Sequence, residues 1–197
     1  MQTINTTTFS MARPMSRQRT VSLAKQKGVT LTELIVSVVV MVLIVGFVFF
    51  MKAQVYGPLL GWMEATSVST QMGKIENVYS GSANYTGLST ASMATPSIFQ
   101  NKYLPGGSVV NNRFGGQVTL GIVTINTTSD TLSFTDSGIR SDSCPTLVNQ
   151  LAEDADRITV AGTVVKAVNG NLNAGVLKTQ CDSANTVAVM FERIKRS

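Results

Sequence analysis

From Leu34 to Met51 the chain reads LIVSVVVMVLIVGFVFFM, 18 residues without a charge and diluted only by Ser37 and Gly46. As a helix that run rises about 27 Å, close to the hydrocarbon thickness of a bilayer. Being apolar all round, it must be surrounded by lipid or by copies of itself. Past Lys52 apolar side chains recur at Val55, Leu59, Trp62 or Met63, Val68, Met72, Ile75 and Tyr79, mostly three or four residues apart. Gln54, Glu64, Ser67, Gln71, Lys74 and Asn77 make the complementary polar face. The spacing predicts one helix from about Thr30 to Tyr79, whose second half is amphipathic and needs a domain to pack against. Gly57-Pro58 interrupts it, with Gly61 one turn on. Proline removes a backbone hydrogen bond, so a kinked but continuous helix is expected here, a break into two helices being the alternative.

Ser80 to Gly116 is rich in Gly, Ser, Thr and Asn and reads as loop. The glycines at 106, 107, 115 and 116 lack the Lys-Ser/Thr and the strand-loop-helix context of a phosphate loop. Strands are predicted at Gln117–Ile125, Thr131–Phe134, Ile158–Val168 and Thr186–Ile194, where Val, Ile and Thr alternate as in an antiparallel sheet with one packed face. Ser143-Cys144-Pro145 opens a short helix through about Ala155, with proline at a permitted first-turn position. Glu153, Asp154 and Asp156 read as its solvated end, since no glycine-spaced ligand pattern makes them a calcium loop. The fold class is therefore α+β, a long N-terminal helix covering an antiparallel sheet.

Charge sharpens the picture. The 197 residues carry a net +5, yet residues 1–28 hold Arg13, Arg17, Arg19, Lys25 and Lys27 and no acid, leaving eleven basic against eleven acidic residues beyond them. A neutral body without clustered Lys and Arg argues against nucleic acid as a partner. Basic residues before the apolar run predict a cytoplasmic N-terminus and an exported C-terminal body. The run is too long for an ordinary secretory signal, and no small-residue cleavage site follows it, so it is expected to stay in the mature protein. Cys144 and Cys181, with 36 residues between them, then lie in an oxidising compartment and form one bridge; in a cytosolic chain they would be two buried thiols. The chain has no histidine, which removes the usual general base and zinc ligand. No S-x-x-K nucleophile arrangement stands in its place near a plausible pocket signature; the S-x-x-K at Ser22–Lys25 lies in the basic N-terminal segment. Neither an enzyme nor a cofactor is expected, and no metal ligand set.

A basic leader ending in Gly28, followed by VTLTELIVSVVVMVLIVGFVFF with a glutamate five residues past the glycine, resembles the processing site of type IV prepilins. The long leader and a first mature residue other than phenylalanine, Val29, resemble the type IVb branch, in particular the major pilins of thin pili encoded by conjugative plasmids and some enteric bacteria. The motif covers about residues 25–52; beyond it the likeness is one of layout. The resemblance implies a cleaved leader (1–28), a transmembrane and filament-core helix (29–52), an amphipathic helix (53–79) and a periplasmic or extracellular head (80–197) with a C-terminal disulfide loop. It implies cleavage between Gly28 and Val29 by a prepilin peptidase, N-methylation of Val29, and a role for Glu33 in assembly and register. The partners implied are further copies of the chain in a helical homopolymer, a cytoplasmic assembly ATPase, an inner-membrane platform protein, an outer-membrane secretin, minor pilins, and membrane lipid before assembly.

Glu33 is where the residues and the resemblance meet. A carboxylate at membrane depth costs several kcal/mol, and cleavage would create a cationic amine at Val29, four residues away or on a neighbouring copy. Thr30-Leu31-Thr32-Glu33 also reads as a capping box, in which Thr30 caps the helix; the two roles are compatible. A minor or tip pilin, a secretion pseudopilin and a membrane-anchored binding domain share parts of this pattern. Only the last has no use for Glu33.

Overall fold

The computed structural model describes residues 30–196. Two compact units divide the chain, one ending at Leu43 and the other beginning at Ile44. Helix α1 (Leu31–Val78) carries Pro58 inside it without a break. It is followed by α2 (Thr90–Met93), one 3-10 turn (Asn101–Tyr103) and a two-residue strand β1 (Val110–Asn111). Next come β2 (Gln117–Val123), β3 (Thr131–Arg140), α3 (Cys144–Leu151), β4 (Arg157–Val160), β5 (Thr163–Lys166), α4 (Ala174–Cys181) and β6 (Thr186–Ile194).

The six strands form one antiparallel sheet in the order β1-β2-β3-β6-β4-β5. β3 and β6 are central, in register from Thr131 opposite Ile194 to Arg140 opposite Thr186, with a bulge between Asp136 and Ile139. Phe134 faces Phe191 across this pair, and both are fully buried. One hydrophobic core joins Ala65, Val68, Met72 and Ile75 of α1 to the sheet and to Leu147, Val148 and Leu151 of α3. Each Val, Leu, Ile or Met among these contributes roughly 1.5–3 kcal/mol on leaving water.

Several expectations are corrected. The span 158–168 is a hairpin, not one strand: Ala161 and Gly162 both take positive φ, 48° and 80°, the geometry of a two-residue primed turn. β3 runs on to Arg140: Thr135 and Asp136 are paired on both sides by β2 and β6, and Ile139 and Arg140 by β6. The loop of residues 80–116 contains short ordered pieces; Ser89 and Ser92 cap α2 reciprocally, and Met93, Ile98, Phe99 and Tyr103 are buried. Helix α4 was not foreseen, although Asn173 caps it by accepting from the Val176 N–H at 3.1 Å.

The largest correction concerns which face of α1 meets the head. Gly57, Gly61, Glu64, Ala65, Val68, Gln71, Met72 and Ile75 are buried, so Glu64 and Gln71 belong to the packed face. Of the stripe that periodicity assigns to the packed face, Val68, Met72 and Ile75 are buried as expected, but Val55, Leu59 and Trp62 (the alternative to Met63) are 46%, 48% and 51% exposed. Close approach explains the rotation. An added Cβ at Gly61 would lie 2.4 Å from the Ser143 carbonyl oxygen, and one at Gly57 would lie 2.5 Å from Asp142 Cγ. The helix reaches the start of α3 along its glycines, which no bulkier side chain on that face would allow.

Candidate functional site

The candidate site is α1 itself, with the contacts that hold its second half to the head. Its first turn begins at Thr30, whose carbonyl accepts from the Glu33 and Leu34 N–H groups at 3.0 and 3.1 Å. The Thr30 hydroxyl also accepts from the Glu33 N–H, at 3.4 Å. Glu33 is exposed in that first turn, where the helix dipole favours an anion. From Leu34 to Met51 the large apolar side chains are 42–70% exposed. The hydroxyl of Ser37 is satisfied by donating to the Leu34 carbonyl at 2.8 Å. Gly28 and Val29 lie outside the described residues.

Three groups of polar contacts fix the second half of α1. Near its middle, the Glu64 carboxylate lies 3.5 Å from Arg113 Nε. The preceding residue, Asn112, donates its amide to Asp136 of β3, and its carbonyl accepts from the Phe114 and Gly116 N–H groups at 2.9 and 2.8 Å. Two consecutive loop residues thus clasp a helix and a strand. Burial pushes the Asp136 carboxyl well above the usual carboxylate range, and the Glu64 charge pushes it further. Burial also raises Glu64, against the pull of Arg113 and Lys102. Farther along, Arg193 of β6 meets Glu76 at 3.1 Å and donates to the Asp154 carbonyl at 2.8 Å, while Ser69 donates to the Asp154 carboxylate at 2.7 Å. Asp156 accepts from the Ile194 N–H at 2.7 Å. Asp154, expected with Asp156 as a solvated helix end, instead ties α1 to β6 through Ser69 and Arg193, while Asp156 holds the end of β6. At the top of the helix Lys195 Nζ donates to the Tyr79 carbonyl at 2.5 Å.

Cys144 and Cys181 form a disulfide with a Cα–Cα distance of 5.7 Å, joining the first residue of α3 to the last of α4. Both are fully buried. Closing this loop contributes about 4 kcal/mol on the loop-entropy account. The bridge braces α3, whose start is the surface that Gly57 and Gly61 approach.

A cleft of about 420 Å³ is lined by Glu76, Glu153, Asp154, Arg193, Lys195 and Arg196 among others, and Arg193 pairs with two of those acids across it. Among the described residues no cluster of three His, Cys, Asp or Glu could hold a metal ion. The sequence could not reveal the Glu64–Arg113 and Asn112–Asp136 contacts, because their partners are 49 and 24 residues apart.

A family model described as PilS N terminal matches residues 62–192. No curated protein matches the chain. The crystal structure of a type IVb pilin from Salmonella typhi is similar at a TM-score of 0.52 and 16% identity, covering 66% of this chain and 96% of that one. The structure of TcpA, a type IV pilin from Vibrio cholerae El Tor biotype, gives 0.46 and 14%, covering 66% and 99%. The NMR structure of the type IVb pilin PilS from Salmonella typhi gives 0.45 and 15%, covering 68% and 96%.

Proposed function

The chain belongs to the PilS N-terminal family and has the fold of a type IVb pilin, a structural protein; from that premise we propose that it is the subunit of a type IVb pilus, processed at the inner membrane and polymerised through its N-terminal helix. Residues 1–28 are a leader that a prepilin peptidase removes between Gly28 and Val29 on the cytoplasmic face, after which the Val29 amine is methylated. Residues 29–52 anchor the subunit in the inner membrane with its head in the periplasm, then become filament core. The filament is extracellular and serves adhesion or the cell contact of conjugation. A cytoplasmic ATPase, an inner-membrane platform protein, an outer-membrane secretin and minor pilins are its partners.

Glu33 sets the axial register. A subunit sliding into the filament keeps an uncompensated carboxylate in an apolar surround until that group meets the Val29 amine of a neighbour; the cost of an unpaired charge at membrane depth is several kcal/mol. Methylation preserves the cation and removes one hydrogen-bond donor. Thr30 caps the helix before and after assembly. Gly57-Pro58 is the joint at which the helix adjusts when lipid is exchanged for neighbouring helices, since a proline lacks the N–H that would tie it to the preceding turn.

The observation that carries this reading is Glu33, exposed at the head of a run whose apolar side chains are themselves exposed. Mass analysis of sheared surface filaments tests it: the chain should begin at methylated Val29, and an intact leader in assembled material overturns it. Glu33→Ala should abolish filaments while the subunit still accumulates in the membrane. A membrane-anchored binding domain would lose nothing by that change.

A further inference from the structure

We propose that, before assembly, the face of α1 bearing Val55, Tyr56, Leu59 and Trp62 lies on the outer surface of the bilayer that holds the helix, with the two aromatic rings in the headgroup layer. The inference rests on the membrane stage of the reading above.

At about 100° per residue around a helix, Val55, Leu59 and Trp62 fall within one narrow sector, with Tyr56 on its flank. Gly57, Gly61, Glu64, Val68 and Ile75, which are buried under the head, fall in the opposite sector. Turning the exposed sector toward the membrane therefore turns the head away from it. The four side chains are 46–51% exposed. No charged residue occurs between Lys52 and Glu64, and Glu64 is buried, so this face carries no ionic group that would resist approach to lipid.

The chemistry of the face suits an interface better than a dry contact between helices. Tyrosine and tryptophan concentrate where one end of the ring meets hydrocarbon and the other meets water or headgroups. Neither the Tyr56 hydroxyl nor the Trp62 indole N–H has a hydrogen-bond partner among the described residues; packed against apolar neighbours, both would be buried unsatisfied. The next residues in the same sector, Thr66 and Thr70, donate their hydroxyls to the Trp62 and Thr66 carbonyls at 3.1 and 2.8 Å. The apolar face ends there.

The distances permit it. Trp62 is eleven residues past Met51, about 16 Å along the helix axis, whereas a headgroup layer is only about 5–8 Å thick. A tilt of about 40°, the upper end of the usual range, lowers the axis at Trp62 to about 12 Å above the hydrocarbon. A ring reaching about 6 Å from the axis on the lower side comes down roughly 4 Å more, to the outer headgroups. Tyr56, six residues nearer, sits within them.

Trp62 is the only tryptophan in the chain, so its fluorescence reports this face without labelling. The full chain would be incorporated into phosphatidylcholine nanodiscs at one copy per disc. A nitroxide on the headgroup should quench Trp62 emission the most, and bromine at the acyl-chain ends or iodide in the water should remove much less. Leu59→Glu, an exposed position away from the head, should abolish headgroup quenching while the chain stays in the disc with unchanged helix content. Quenching by iodide alone would overturn the proposal. So would protection of Trp62 that appears only at two or more copies per disc, which would assign the face to a second copy. Failure of the chain to enter discs at all would instead overturn the membrane stage on which the proposal rests.

Discussion

Replacing Gly61 with alanine should destabilise the protein, although it puts the best helix former in place of nearly the worst inside a helix. On propensity alone the change is worth about 1 kcal/mol of stabilisation. At Gly61, however, the new Cβ would meet the Ser143 carbonyl oxygen at 2.4 Å, the Leu147 nitrogen at 3.2 Å and the Thr146 Cβ at 3.2 Å. Two of these are backbone atoms at the start of α3, in a segment held by the disulfide at Cys144, and they cannot swing aside as a side-chain end would. Overpacking of this kind costs about 1–3 kcal/mol, so the net effect is a loss of about 1 kcal/mol. Gly73 is the internal control: it lies in the same helix, and a Cβ there would meet nothing within 4 Å. Gly73→Ala should gain the full propensity term. The two variants then differ by about 2 kcal/mol, or roughly 4–8 °C in unfolding midpoint for a chain of this size. Thermal unfolding of the full chain in mild detergent, followed by near-ultraviolet circular dichroism, measures the difference. If Gly61→Ala stabilises as much as Gly73→Ala, the close approach of α1 to α3 is wrong.

Other outcomes follow from the buried carboxyls and the bridge. Asp136 and Glu64 bind protons more tightly folded than unfolded, so together they add stability in acid that fades as pH rises through their elevated folded values. The unfolding midpoint of Asp136→Asn, compared with the unaltered chain from pH 4 to 8, should lack that contribution; identical slopes would refute it. Asp130 acts in the opposite sense: burial disfavours its charge, but the N–H groups of Ile125, Thr127 and Asn126 and the Thr131 hydroxyl outweigh this and hold it well below the usual range. Its contribution is present above the ordinary aspartate value and lost as pH falls below it, so Asp130→Ala should lower stability at pH 7 while flattening the decline in acid. Replacing both Cys144 and Cys181 by serine should cost about 4 kcal/mol in urea unfolding; a loss under 1 kcal/mol would mean the loop is already constrained without its bridge.

What could be read from the residues divides by distance along the chain. The extent of α1, the limits of β6 and the disulfide pair follow from local pattern and from one inference about compartment. The turn at Ala161-Gly162 is not legible because VAG lacks the Asn-Gly or Asp-Gly pair that announces a primed turn, and Ala161 adopts positive φ against its own preference. Asp154 and Asp156 read as solvent-facing because their partners, Ser69, Arg193 and Ile194, arrive from elements far away in sequence. Helix α4 has a weaker amphipathic pattern than α3, and its Asn173 cap is the one local sign.

The face of α1 is the more instructive case. Hydrophobic periodicity puts Val55, Leu59 and Trp62 in one stripe with Val68, Met72 and Ile75; the last three are packed under the head, but the first three face away, and the head's sector takes in Gly57, Gly61, Glu64 and Gln71 instead. Periodicity assumes a helix with one apolar partner and water opposite. This helix has apolar residues on both sides of its middle, and the choice between them rests on shape and pairing. Glycines admit the backbone of α3, and Arg113 supplies a cation for a carboxylate that burial would otherwise leave uncompensated. A glutamate on the packed face fixes rotation more sharply than another leucine would, because sliding or turning the helix separates it from Arg113. The greasier sector is thereby left free, continuous in sequence with the run that needs lipid or copies of itself. A helix that only stabilised its own head would have those two faces the other way round.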